Sequence, residues 1–195
     1  MIEGADRMQQ MVRSLLVYSG VSTKGMAFEQ IDLNTLIEDL KAFELAGQLE
    51  QAHGNISIVG QLPAVKGDPD QVRQLLQNLV SNALKYRKKD IAPEVIVRAH
   101  TQDHGMVRIE LQDNGIGVPA KRHDDIFVMF RRLHSRNDYD GTGIGLAVCK
   151  RVVERHQGKT GVTSEPGQGA TFWFTLPLAQ SAGTQYQESP SALAG

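Results

Sequence analysis

Between residues 2 and 19, Ile2, Ala5, Met8, Val12, Leu15 and Ser19 recur at intervals of three and four, which predicts a helix with one apolar seam in need of a partner. Gly, Ser and Thr from position 20 to 25 break that period and predict a linker. A second helical period covers 32–49, with Leu33, Leu36, Ile37, Leu40 and Leu45 on one side and Asn34 as its predicted N-cap. Ile56, Ile58 and Val59 predict a short strand over 55–59. Asp68-Pro69-Asp70 opens a helix, with Asp as cap and Pro in the first turn, and that helix is predicted to run to about residue 88. Strands are predicted over 94–99 and 106–112, joined by the turn Asp103-His104-Gly105. A helix over 143–156 follows a loop-rich stretch, and strands near 161–164 and 170–176 flank Pro166-Gly167-Gln168-Gly169. From 179 on, Ser, Gly, Gln, Pro and Ala dominate and predict a disordered tail. Helices mixed with hairpins in this way imply an α+β fold, a two-layer sandwich with helices on one face of a sheet.

Length and composition narrow the setting. A chain of 195 residues holds one main domain and an appendage. Hydrophobic residues make up 41% and charged residues 22%, ordinary values for a soluble domain, and no apolar run reaches the ~18 residues of a membrane span. The net charge of −1 gives no overall attraction to nucleic acid, so any anion site has to be local. The single Cys149 excludes an internal disulfide, and no basic segment leads into an apolar one at the N-terminus; a reducing, cytoplasmic setting is expected.

Three segments carry candidate chemistry. In "DNGIGVP", Asp113 precedes Gly115 and Gly117 directly after an apolar strand. This is either a tight turn in which Asp113 bonds its own backbone or a site where the carboxylate accepts a hydrogen bond from an exocyclic amine. "DGTGIGLAVCK" places Gly141, Thr142, Gly143, Gly145 and Leu146 ahead of a helix. It has neither the Lys-Ser/Thr of a phosphate-binding P-loop nor the spacing of a dinucleotide fingerprint, but its amides and the helix N-terminus can hold phosphate oxygens. On the helix opened by Asp68, Asn78 and Asn82 lie four apart with Lys85 beside them. That stripe is either a solvated face or a set in which an Asn carbonyl ligates Mg²⁺ while Lys85 neutralises phosphate.

In order, "NLVSNALKY", "DNGIGVP", "IFVMFRRLH", "GTGIGL" and "PGQGATFWFTLP" closely resemble the asparagine, first glycine, phenylalanine, second glycine and third glycine boxes of the ATP-binding domain of sensor histidine kinases. The resemblance covers about 27–178 and looks closest to the kinases related to bacterial phytochromes. It implies a Bergerat fold, a mixed sheet backed by helices on one face, with ATP between helices and a mobile lid. It also implies that Asn82 ligates Mg²⁺, that Asn78 and Lys85 support the phosphates, and that Tyr86 packs near the base or ribose. Asp113 would bind adenine, with Gly115 and Gly117 shaping the pocket. Gly141, Thr142, Gly143, Gly145 and Leu146 would form the phosphate end of the lid, Thr171 would lie near the adenine, and Phe127 and Phe130 would anchor a lid over 131–140.

Hydrolysing relatives carry glutamate where this chain has Asn78, and an amide cannot act as general base at neutral pH. The family's acceptor histidine stands on a helix with an acidic residue after it. Only His123 is followed by an acid, and its place between motifs fits a structural role. The implied organisation is therefore the second helix of a dimerisation hairpin at 1–20, a linker at 21–26, the ATP-binding domain at 27–178 and a tail at 179–195. Such a chain is expected to transfer the γ-phosphoryl group of Mg-ATP to a histidine outside itself and not to autophosphorylate alone. Expected partners are the phosphoacceptor helix, a response regulator and a second copy in the parent protein, with neither nucleic acid nor membrane. The alternative is a regulatory module that binds ATP or a partner without phosphotransfer.

Overall fold

The computed structural model describes residues 26–131 and 142–179, together with the helical positions Gln9, Val12, Leu15, Leu16 and 18–21. Of the predicted tail at 179–195 only Ala179, and of the predicted lid over 131–140 only Arg131, are among the described residues; Gly141 lies outside them. Gly20 and Val21 are still helical, one turn's edge beyond the predicted break, and Val21 is buried.

Strand β1 (Glu29–Ile31) leads into helices α1 (Leu33–Ala42) and α2 (Ala46–Ala52), then strands β2 (Asn55–Ile58) and β3 (Val65–Gly67). Helix α3 (Pro69–Lys85), strands β4 (Glu94–Gln102) and β5 (Met106–Asp113), helix α4 (Gly145–Arg155) and strands β6 (Thr160–Ser164) and β7 (Ala170–Pro177) complete the order. One sheet runs β2-β4-β5-β7-β6, parallel only between β2 and β4; β1 and β3 form a separate antiparallel pair. The sequence misses that pair because three residues are too few to set a period of two.

The predicted helix over 32–49 is corrected to two. Extending the stripe of Leu33, Leu36, Ile37 and Leu40 by a further turn would drive Glu44 and Gly47 into the core and leave Leu45 off it. The break turns Glu44 out to Arg73 at 2.9 Å and lets Leu45 become fully buried, its N–H donating to the Leu40 carbonyl. The N-cap is Asp32 and not Asn34: Asp32 Oδ1 accepts from the amides of Asn34 and Thr35, while the Asn34 side chain bonds both backbone groups of Leu62. Asp68 caps α3 as expected, accepting from the Gln71 amide at 3.2 Å. Helix α3 ends at Lys85, short of residue 88, because the Tyr86 carbonyl turns away to accept from the Ile116 amide.

The sheet lays Val95, Val97, Val107, Ile109, Leu111, Phe172, Phe174 and Leu176 against Leu75, Leu76 and Leu79 of α3 and Val148 and Val152 of α4. Each such side chain contributes about 1.5–3 kcal/mol relative to exposure, and together they fix the two helices on one face of the sheet. Cys149 is part of this layer, fully buried, with its thiol pushed up to about 12 by burial, so it packs as a small apolar residue. Trp173 points to the other face, where the Arg108 guanidinium lies 4.2 Å from its ring centre. Among the described residues no helix is long and apolar enough to cross a membrane.

Candidate functional site

Helix α3 presents Asn78, Asn82 and Lys85 half-buried along one edge, the stripe the spacing predicted. Asn78 Nδ2 lies 3.4 Å from the Gly145 carbonyl, which joins this stripe to the first turn of α4. Ile144, at the N-cap of α4, offers no side-chain cap, and among the described residues no side chain bonds the first-turn amides there. Lys85 Nζ sits 4.6 Å from the Tyr86 ring centre and has no carboxylate partner among the described residues. The Asn82 carboxamide likewise takes no hydrogen bond among them.

At the end of β5, Asp113 holds its carboxylate rigidly: Oδ1 accepts from the amides of Gly115 at 2.8 Å and Ala170 at 3.1 Å. Oδ2 takes no hydrogen bond among the described residues and is left to accept from something else. Burial pushes this carboxyl above the usual aspartate value, and the two amide bonds offset part of that rise. The following loop passes so close to other backbone that only glycine fits. A Cβ on Gly115 would stand 2.6 Å from the Tyr86 carbonyl oxygen, and one on Gly117, at φ +74°, 2.1 Å from that of Glu165.

Sequence reasoning missed the other half of this clasp. Gly169, at φ +82°, lies over the Asp113 carbonyl, and Ser164 Oγ accepts from the Val118 amide while donating to the Gly169 carbonyl. The signal was the pair of glycines in "PGQG", placed between two strands and in the third glycine box with no role given to Gly167 or Gly169. Asn114 ties the loop to the strand β4 entrance through the Glu94 amide and the Ala92 carbonyl. Gly169→Ala is expected to destabilise the domain by about 3 kcal/mol, since its Cβ would meet the Asp113 carbonyl oxygen at 2.0 Å in a left-handed conformation. Gly167→Ala has the same sign of φ but open space around it, so urea unfolding should show a loss of only about 1 kcal/mol.

Among the predicted residues, contacts join Asn78 to Gly145 at the start of α4 and Tyr86 to Gly115 beside Asp113, while Gly143, Leu146 and the half-buried Thr142 adjoin Gly145 along the chain. Thr171 stands apart. It borders a cavity of ≈ 230 Å³ together with Asp113, Ala170 and Ser164, but it pairs with Gln112 and Thr163 and projects with them from the sheet face opposite Leu111 and Phe172. Phe127 packs against the core, whereas Phe130 is exposed and donates its amide to the Gly143 carbonyl at 3.0 Å. Arg131 is ion-paired with Asp125. His123 Nε2 contacts the Val118 carbonyl at 3.1 Å, a structural engagement.

Comparison with known proteins agrees with this fold. Cyanobacterial phytochrome A of Nostoc sp. is 38% identical over 177 residues, covering 91% of this chain and 23% of the relative. The chain thus spans about a quarter of the length of curated relatives such as this one. Full-length ShkA in complex with AMPPNP superimposes with a TM-score of 0.76 at 28% identity, over 93% of this chain and 38% of ShkA. Histidine kinase ThkA in complex with the response regulator TrrA gives a TM-score of 0.70 at 20% identity over 91% of this chain and 49% of ThkA, a likeness of fold. Residues 67–180 match the family described as histidine kinase-, DNA gyrase B-, and HSP90-like ATPase. The chain therefore belongs to that ATPase family, and within it to the catalytic domains of sensor histidine kinases.

Proposed function

We propose that this domain binds Mg²⁺-ATP and transfers its γ-phosphoryl group to a histidine on a separate helix, from which a response regulator takes it. The observation that carries the reading is the Asp113 carboxylate, with Oδ1 committed to two amides and Oδ2 left for the exocyclic amine of adenine. Asn82 fits a magnesium ligand: its carboxamide has no described partner, and a hard ion that keeps waters and phosphate oxygens needs only one or two protein oxygens. Bound there, magnesium supplies charge neutralisation at the phosphates.

The chain's own residues do the positioning. Lys85 faces the phosphates from α3, and the uncapped first turn of α4 presents amides to them. Asn78, engaged with the Gly145 carbonyl, orients the glycine loop and cannot deprotonate water, which keeps ATP for the imidazole nucleophile. An N–P bond then forms as the bond from phosphorus to the ADP oxygen breaks, and the imidazole proton passes to solvent. Val12, Leu15 and Leu16 remain exposed on the N-terminal helix and fit a dimerising hairpin in the parent protein. A reducing cytoplasm suits the lone buried Cys149. The finding that ShkA was solved with AMPPNP and ThkA with a response regulator supports the same reading. Mixing the domain with a cognate hairpin and γ-labelled ATP should place acid-labile label on the hairpin histidine. Persistent lack of label, with the same hairpin phosphorylated by another kinase domain, would overturn it.

A further inference from the structure

Strand β5 parts from β4 where the Asp113 loop begins. Val95 faces Asp113 in the last backbone pair of the two strands, and from there the chain turns away into the glycines. The next residue spans the gap with its side chain: Asn114 Oδ1 accepts from the Glu94 amide at 3.0 Å, and its Nδ2 donates to the Ala92 carbonyl at 2.9 Å. Those two backbone groups flank Pro93, which has no N–H to give, so the carboxamide bonds β4 as a peptide group of a neighbouring strand would. One donor and one acceptor meet one acceptor and one donor, which fixes the way the amide points.

Asn114 also lies inside the turn that holds the candidate base acceptor. Asp113 Oδ1 accepts from the Gly115 amide at 2.8 Å, across Asn114, so the backbone that Asn114 anchors is the backbone of that turn. The loop beyond is tied separately, by the Ile116 amide to the Tyr86 carbonyl at 3.0 Å and by the Val118 amide to Ser164 Oγ at 2.8 Å. We propose that Asn114 is a positioning residue for base recognition, acting through Asp113 by holding the Asp113–Gly115 turn against the start of β4. Without its two bonds the turn samples orientations in which Oδ2 no longer faces the base, and each of them subtracts from the population competent to bind adenine. Phosphates held from α3 and α4 should not register the change. This rests on the function proposed above, with Asp113 as the acceptor for adenine.

Calorimetry with Mg-ATP and, as the probe without a base, magnesium tripolyphosphate tests the role as a ratio of affinities. Asn114→Ala should lower the ratio of ATP to tripolyphosphate affinity about tenfold, through ATP alone. Asn114→Asp, which keeps the acceptor for Glu94 and loses the donor to Ala92, should fall between native and alanine, and it carries the same comparison if the alanine variant does not unfold cooperatively. In Asp113→Asn the ratio falls on its own account, and adding Asn114→Ala should then change it less than about twofold, since the residue acted upon is gone. Equal losses for both ligands would mark general damage to the domain and overturn the proposal. So would a native ratio in the folded Asn114 variants while Asp113→Asn lowers it, or a full further loss on the Asp113→Asn background. An unchanged ratio in Asp113→Asn itself would overturn the base site, and this role with it.

Discussion

Asp113→Asn should weaken ATP binding about 100-fold, close to 2.7 kcal/mol, while leaving the domain folded. The substitution is isosteric, but an amide has one oxygen where the carboxylate has two. With that oxygen turned to the Gly115 and Ala170 amides, the carboxamide nitrogen of the variant would face the adenine amine, donor against donor. Flipped, it would lose both backbone bonds that hold the loop. Calorimetry with ATP and magnesium checks the loss, and an affinity within a few-fold of the native domain would remove Asp113 from the base site. The same group makes binding depend on pH. Burial raises its pKa in the free domain, so ATP affinity should start to fall at a higher pH than an ordinary aspartate would dictate. Stability moves the other way. A carboxyl whose folded pKa exceeds its unfolded one costs stability above the folded value, and that cost is relieved as pH drops through it. Falling affinity without falling stability over mildly acid pH is the combined signature.

How far the sequence foretold this site depends on the kind of information each part needs. The helix opened by Asp68 and the stripe of Asn78, Asn82 and Lys85 follow from local rules, a cap and a 3.6-residue period, and both are present, with the helix ending at Lys85 and not near residue 88. The strands of the main sheet follow from alternation, and their errors are confined to ends. What local rules could not reach was set by long-range contact. Leu45 breaks a regular helix because the core needs it, and Asn34 gives up the cap to hold Leu62, 28 residues away. The clasp of Ser164 and Gly169 on the Asp113 loop joins segments more than 40 residues apart, so nothing in "DNGIGVP" alone announces it. Thr171 shows the limit of carrying a residue over by motif: register on β7, one position from Ala170, decides which sheet face its side chain takes.

Asn82→Ala should reduce phosphotransfer to the hairpin histidine about 1,000-fold, roughly 4 kcal/mol of transition-state stabilisation, while making the domain slightly more stable. Both halves come from the same observation. The Asn82 carboxamide is half-buried on α3 yet bonds nothing among the described residues, so its removal forfeits no internal contact. Alanine is also the better helix former by about 0.6 kcal/mol, which urea unfolding should register as a gain. A residue that costs helix stability and gains none from packing is what a ligand-holding position looks like. The loss should be specific to the metal. ATP binding measured without magnesium should stay within about twofold of native, while the tightening that magnesium gives the native domain should vanish. If instead Asn82→Ala keeps the magnesium effect and native transfer rates, Asn82 is a solvated helix residue, and the protein oxygen for the ion has to be sought elsewhere on the α3–α4 edge.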